Sequence, residues 1–256
     1  MDFEETGEKE LALMLRDTMH EVREFNRIIK ANSEMLTRLL GIDQEGVALS
    51  LSQSNADNAR GQARAILETA QMLSARLDLI DFETNPETFS SEPRVPTSVF
   101  GKFDKARKML KARSQSKLVR ISLEGESHRK IDMYPVFDIV PFLLVENAVK
   151  YAPRNSEVTI AITETRRDIE VRVESLGPLV SPEEIARVVE KGYRGQEARR
   201  LGEKGSGFGL HFARFASEVN GSTLHCTSGP EVCSYNCIPY STFCATVRVP
   251  FPAIST

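Results

Sequence analysis

No stretch of this sequence is apolar for long enough to cross a membrane. The longest candidate, Val136 to Val145, is interrupted by Asp138 and Pro141 and falls far short of the ~20 residues that a helical span needs. No signal peptide opens the chain either. The expectation is therefore a cytoplasmic protein, whether or not an upstream sensor domain once preceded it. A basic surplus is missing too. Lysine and arginine number 33 against 36 acidic residues, for a net charge of −3, which leaves nothing to neutralise a phosphate backbone and argues against a nucleic-acid binder. Cysteine is scarce and confined to one end: Cys226, Cys233, Cys237 and Cys244, with His225 beside the first. None has the C-x₂-C spacing of a zinc knuckle, and free thiols on small apolar strands are the plainer reading. In a reducing compartment a disulfide is disfavoured.

What remains is an ordinary soluble composition, 41% hydrophobic and 27% charged over 256 residues, enough for one or two domains with a real core. Two heptad seams occupy the first third. Leu11, Leu15, Thr18, Val22, Phe25, Ile29, Asn32, Leu36 and Leu39 alternate four-three spacings, and after Gly41 and a polar loop Ala59, Ala63, Ile66, Ala70, Leu73, Leu77 and Ile80 do so again. Such helices form an antiparallel hairpin, and one hairpin cannot cover both stripes. Dimerisation into a four-helix bundle would bury them. His20 falls at the heptad position farthest from the seam, so its imidazole is expected in solvent, followed by Glu21.

A Pro-, Ser-, Thr- and Glu-rich run between Phe82 and Pro96 marks a boundary. The expected organisation is a hairpin over residues 1–82, a linker over 83–95 and a second domain over 96–256. In that domain Thr97 or Ser98 caps a helix to about Arg113, and Leu118 to Leu123 alternates like a strand. Val158 to Ile162 and Ile169 to Val173 form a hairpin, Pro182 to Glu190 a helix, and Gly195 to Lys204 a polar lid. Ser222 to Leu224 and Phe243 to Val249 close the fold around the cysteine-bearing insert. The class is α+β, a mixed sheet covered on one face by helices.

Two stretches carry the chemistry. In Pro141-Phe-Leu-Leu-Val-Glu-Asn-Ala-Val-Lys-Tyr-Ala-Pro153 the residues Phe142, Leu143, Val145 and Val149 lay an apolar stripe along a helix, while Asn147, Lys150 and Tyr151 gather polar groups near its end. An amide oxygen suits a hard metal ion, and an ammonium one turn on suits phosphate. Downstream, Gly205-Ser-Gly-Phe-Gly-Leu210 sets glycines at alternate positions just before a helical run from His211 to Val219, so backbone amides can face an anion. The spacing is neither Gly-x-Gly-x-x-Gly nor a P-loop.

In this order the two motifs resemble the Bergerat ATP-binding fold shared by sensor histidine kinases, gyrase, Hsp90 and the mismatch-repair ATPases. His20-Glu-Val-Arg-Glu24 resembles the phosphoacceptor box of histidine kinases. The resemblance implies a histidine kinase catalytic core that binds ATP with Mg²⁺ on Asn147. Lys150 and Tyr151 would contact phosphate and the nearby ring or ribose, and Gly205, Gly207, Phe208, Gly209 and Leu210 would wrap the phosphates. It implies that Tyr193 and Arg194 reach the nucleotide, that His20 is the nucleophile and Glu21 its base, and that the partners are a second copy and a response-regulator receiver domain. Departures accompany it. Ser175 stands where the family carries an adenine-binding Asp, in Ser175-Leu-Gly-Pro-Leu179, where Gly177 aligns. Leu143 fills a place that relatives give to Asn or a catalytic Glu, disfavouring simple hydrolysis. Glu24 stands where members that dephosphorylate their partner carry Thr or Asn. A decayed kinase serving as phosphotransfer protein or scaffold is the competing reading. A serine-directed kinase of the anti-sigma kind is argued against by the long seam.

Overall fold

The computed structural model describes residues 93–203 and 207–252, together with 22–23, 26–38 and helical positions scattered from 56 to 77. The chain divides into two compact units, residues 1–84 and 85–256. In the first, residues 26–38 and 58–63 are helical. Ile29, Asn32 and Leu36 of the first seam are half-buried, and the Asn32 amide spends its Nδ2 on the Ile28 carbonyl 2.8 Å away. Along the second seam Ala59 is buried, Ile66, Ala70 and Leu73 are half-buried, and Leu77 is 45% exposed. Both stripes thus keep apolar surface open in a single copy. Leu11, Leu15, Thr18, His20, Glu21, Phe25 and Leu39 lie outside the described residues.

The second unit is a five-stranded sheet in the order β2-β4-β5-β7-β6. Its strands are β2 (Arg120–Glu124), β4 (Glu157–Glu164), β5 (Asp168–Pro178), β6 (Thr223–Tyr235) and β7 (Ile238–Pro250). The β2–β4 pair is parallel and the others antiparallel. Alternation decides the faces. Val158, Ile160 and Ile162 of β4, Ile169, Val171 and Val173 of β5, and Ala245, Val247 and Val249 of β7 are all buried. Helices α1 (Val99–Met109), α3 (Ile139–Tyr151) and α5 (Gly209–Val219) belong to that core. Ser98 caps α1, accepting from the Gly101 amide at 3.1 Å, and the short α2 (Lys111–Ser116) continues it. A two-stranded sheet of β1 (Val95–Ser98) and β3 (Lys130–Met133), absent from the sequence expectation, stands apart.

Five expectations change. The α3 helix is buried nearly all round, from Ile139 to Glu146 and again at Ala148 and Val149, because β5 lies under it and α1 and α5 flank it. Ser175 to Pro178 is not a turn: it extends β5, pairing with Phe243 to Tyr240 of β7. Residues 182–189 form successive turns rather than a helix. The lid stretch holds a short helix, α4 (Gln196–Arg200). The cysteines sit not in an insert but on a long β6–β7 hairpin, turned at Asn236 and Cys237, whose φ of 51° and 61° make a two-residue turn of the I′ kind. All four thiols are free, and burial pushes the Cys226 thiol up to about 12.

Candidate functional site

Rotation of α3 is fixed by a charge. Glu146 is only 7% exposed and takes a 2.6 Å bond from Arg113 Nη1, an arrangement that holds its carboxylate inside. The next residue, Asn147, is then left half-exposed on an otherwise buried helix. One turn on, the Lys150 ammonium lies 5.1 Å from the Tyr151 ring centroid. The helix stops where Ala152 turns extended before Pro153, and the Lys117 ammonium donates to the Lys150 carbonyl. Burial lowers the Lys117 pKa, against the pull of Glu203 3.6 Å away.

The sheet supplies a floor. Ser175, 5% exposed, and Gly177 continue the inward-facing row of β5. A Cβ on Gly177 would lie 3.7 Å from the Cβ of Phe243 and 4.0 Å from that of Tyr151, so Tyr151 and Phe243 flank this bare stretch of strand. Ser228 and Ser241 bond hydroxyl to hydroxyl at 2.7 Å on the neighbouring strands. Sequence reasoning passed over Phe243, Ser228 and Ser241. The alternation of β7 carries Ser241 and Phe243 onto the face of Ala245 and Val247, a signal that was readable.

Glu184, also passed over, organises the segment beyond β5. Its carboxylate accepts from the Tyr193 hydroxyl at 2.8 Å, the Gln196 amide at 2.9 Å and the Ser181 amide at 3.3 Å. Those bonds explain why residues 182–189 turn instead of coiling. Tyr193 is spent here as well, its ring under the guanidinium of Arg187 at 4.3 Å. Arg194 goes the other way. Its Nη2 donates to the carbonyls of Ala198, at 3.1 Å, and Glu203, at 2.5 Å, and its guanidinium partly offsets the rise that burial imposes on the Tyr151 hydroxyl.

Burial pushes the Glu184 carboxyl up, but the Gln196, Tyr193 and Ser181 donors outweigh it and hold the pKa below the ordinary 4.5. A carboxyl held low in the fold stabilises fully above its unfolded value and loses that contribution as pH falls through the folded one. The NMR shift of the Gln196 amide is therefore expected to titrate with a midpoint below 4.5, and that step should disappear in Glu184→Gln. A midpoint above that value would contradict the assignment.

The glycine turn joins these pieces. Gly207 has φ +81°, and a Cβ there would sit 2.6 Å from the Tyr193 carbonyl oxygen and 2.7 Å from the Gly192 carbonyl carbon, so no side chain fits. Phe208 is buried, with the Lys191 ammonium 5.8 Å from its ring centroid. A Cβ on Gly209 would lie 3.9 Å from Leu143 Cδ2, one turn before Asn147. The start of α5, Gly209 and Leu210, has no side-chain cap and no acidic residue in its first turn, which leaves its first amides open to an anion. The structure thus brings Asn147, Lys150, Tyr151, Ser175, Gly177, Arg194, Gly207, Phe208, Gly209 and Leu210 to one end of the second unit. Tyr193 is there but turned to Glu184. Gly205, His20 and Glu21 lie outside the described residues. An amide oxygen, an ammonium and open helix amides are a donor set that fits a magnesium nucleotide. Among the described residues no His, Cys, Asp and Glu cluster could hold a metal.

Residues 142–252 match the family model of the histidine kinase-, DNA gyrase B- and HSP90-like ATPases. The sensor-like histidine kinase SenX3 of Mycobacterium tuberculosis is 36% identical over 87 residues, 34% of this chain and 21% of that protein. The sensor protein QseC of Escherichia coli is 27% identical over 212 residues, 81% of this chain and 42% of that protein. The chain therefore spans well under half the length of these curated relatives. Among solved structures, the mycobacterial sensor histidine kinase MprB superposes with a TM-score of 0.50 at 17% identity, over 62% of this chain and 99% of that one. Full-length ShkA in complex with AMPPNP does so with a TM-score of 0.53 at 17% identity, over 89% of this chain and 47% of that one. At such identities these likenesses establish the fold.

Proposed function

We propose, from the premise that residues 142–252 belong to the histidine kinase-, DNA gyrase B- and HSP90-like ATPases and lie in a histidine kinase catalytic core, that the chain phosphorylates its own His20 from ATP and passes the group to an aspartate of a response regulator. The observation that carries this is the meeting of the uncapped start of α5 with α3 one turn from Asn147. Asn147 would hold Mg²⁺, which when bound neutralises charge on the phosphates. Lys150 sets a second positive charge against them, and the amides from Gly205 to Leu210 wrap them. Ser175 and Gly177 floor the base, with Tyr151 beside ring or ribose. A neutral nitrogen of His20 attacks the γ-phosphorus, the bond to the bridging oxygen breaks and ADP leaves, while Glu21 takes the imidazole proton. Transfer to the aspartate returns a free imidazole. The step is mostly positioning and charge neutralisation. The open stripes of the first unit favour a homodimer, residues 1–82 forming the bundle, 83–95 the linker and 96–256 the ATP-binding domain. No helix among the described residues is long and apolar enough to cross a membrane, and we place this part of the protein in the cytoplasm.

Incubation with γ-labelled ATP and Mg²⁺ is expected to give protein-bound phosphate that is lost in acid and kept in base. Acid-stable label would point to a serine-directed kinase, and no label would leave the scaffold reading, which Ser175 in place of a carboxylate and Leu143 in place of a polar residue favour.

A further inference from the structure

We infer that Lys117 is a positioning residue of this site: its ammonium ties the end of α3, where Lys150 and Tyr151 stand, to Glu203, and holds the two in the arrangement that receives a nucleotide. The inference rests on the proposed nucleotide site and concerns what assembles it. Lys117 closes α2 as its C-cap. Leu118 behind it is left-handed, φ 57°, a conformation that a leucine adopts only under constraint. There the amides of Leu118 and Val119 return to the Gln115 and Ser114 carbonyls, and the Leu118 carbonyl accepts from the Asn155 amide at 3.1 Å. The backbone that carries Lys117 is thus anchored. Helices α2 and α3 are matched along one turn. Arg113 reaches Glu146 at 2.6 Å, and four residues on in both chain segments Lys117 reaches the Lys150 carbonyl. That carbonyl is among the last of α3, which find no partner within the helix.

An ammonium has three donors, and the carbonyl takes one. Glu203 Oε1 lies 3.6 Å from the same Nζ, an ion pair though too long for a hydrogen bond. Glu203 is held by its backbone as well, since its carbonyl accepts from Arg194 Nη2 at 2.5 Å. Upstream, the Gln196 amide donates to Glu184 at 2.9 Å and Arg200 Nη2 to the Cys237 carbonyl at 3.1 Å. Residues 195–203 are therefore fastened near their start and middle, and at their end the Lys117 pair adds a tie to α3. Burial strips water from this ammonium and lowers its pKa, a cost that its two acceptors offset in part. A contact made before the ligand arrives spares the ordering that binding would otherwise require.

The test joins calorimetry of the whole chain with Mg²⁺ and a non-hydrolysable ATP analogue to amide hydrogen exchange in the nucleotide-free protein. Lys117→Met keeps the stem and removes the charge, and is expected to raise the dissociation constant about tenfold. It should also speed exchange of the Leu201 and Gly202 amides, which are bonded to the Glu197 and Arg199 carbonyls. Lys117→Arg should restore most of both. Glu203→Gln, an isosteric change at a half-exposed residue, should raise the constant about threefold, and in the Lys117→Met background should add nothing. Additive losses would mean that Lys117 acts on the nucleotide directly and would overturn the inference, as would unchanged exchange at Leu201 and Gly202. Either result leaves the proposed function standing. No heat from the unaltered protein would overturn both. Should Lys117→Met fail to fold by thermal melt, unchanged affinity in Glu203→Gln overturns the inference by itself.

Discussion

Replacing His20 by glutamine is expected to abolish acid-labile labelling outright, while the affinity for nucleotide, measured by calorimetry, stays within about twofold. The expectation follows from where the sequence sets the side chain. Thr18 and Val22 belong to the heptad seam, and the spacing alone predicts His20 on the opposite face, where a nucleophile would be reachable. Glutamine keeps length, polarity and helix propensity, but its amide nitrogen is no nucleophile. Loss of label then reports on chemistry rather than folding. Label that survives His20→Gln, at any pH, would remove this residue from the reaction and redirect attention to another acceptor.

Much of the second unit was legible because its elements carry their own period. The β4–β5 hairpin alternates apolar and polar residues, α5 begins at glycines that no neighbouring helix could use, and Ser98 announces α1 through its cap. What escaped depends on partners distant in sequence. Ser175 to Pro178 reads as a turn until β7, more than sixty residues on, supplies the opposite edge. Pro182 to Glu190 has a helix-like opening, but Glu184 spends its carboxylate on Ser181, Tyr193 and Gln196 and diverts the backbone into turns. The same bonds hold Tyr193 to Glu184, whereas the Arg194 guanidinium acts on the Tyr151 hydroxyl at the end of α3. The cysteine stretch looked like an insert because its spacing of small polar residues hides a strand that only β7 completes. For α3 the period was visible, but its burial from Ile139 to Val149 on every side except at Asn147 needed α1, α5 and the sheet together. That tertiary context makes Asn147 a sharper candidate than its sequence alone could, since it is a polar side chain with access to solvent on a helix that the core otherwise encloses up to Val149.

Asn147→Asp tests the contact with a Mg²⁺-bound phosphate that this residue is proposed to make. Aspartate has the same shape and keeps an oxygen that can bind Mg²⁺, so any loss must come from the added charge. A unit charge about 5 Å from a phosphate, at the effective dielectric of about 20 that suits partly buried sites, is worth about 3 kcal/mol of repulsion. Labelling is expected to fall about a hundredfold, with high Mg²⁺ restoring part of it. Stability should change little, because position 147 is half-exposed and the neighbouring buried carboxylate, Glu146, already has Arg113 at 2.6 Å. A large drop in melting temperature would instead mean that the new charge competes for Arg113 and unseats α3, and the kinetic loss could not then be assigned to the phosphates. Labelling at the unaltered rate, with the fold intact, would show that no phosphate comes near this amide. The nucleotide would then have to lie elsewhere than between the end of α3 and the start of α5.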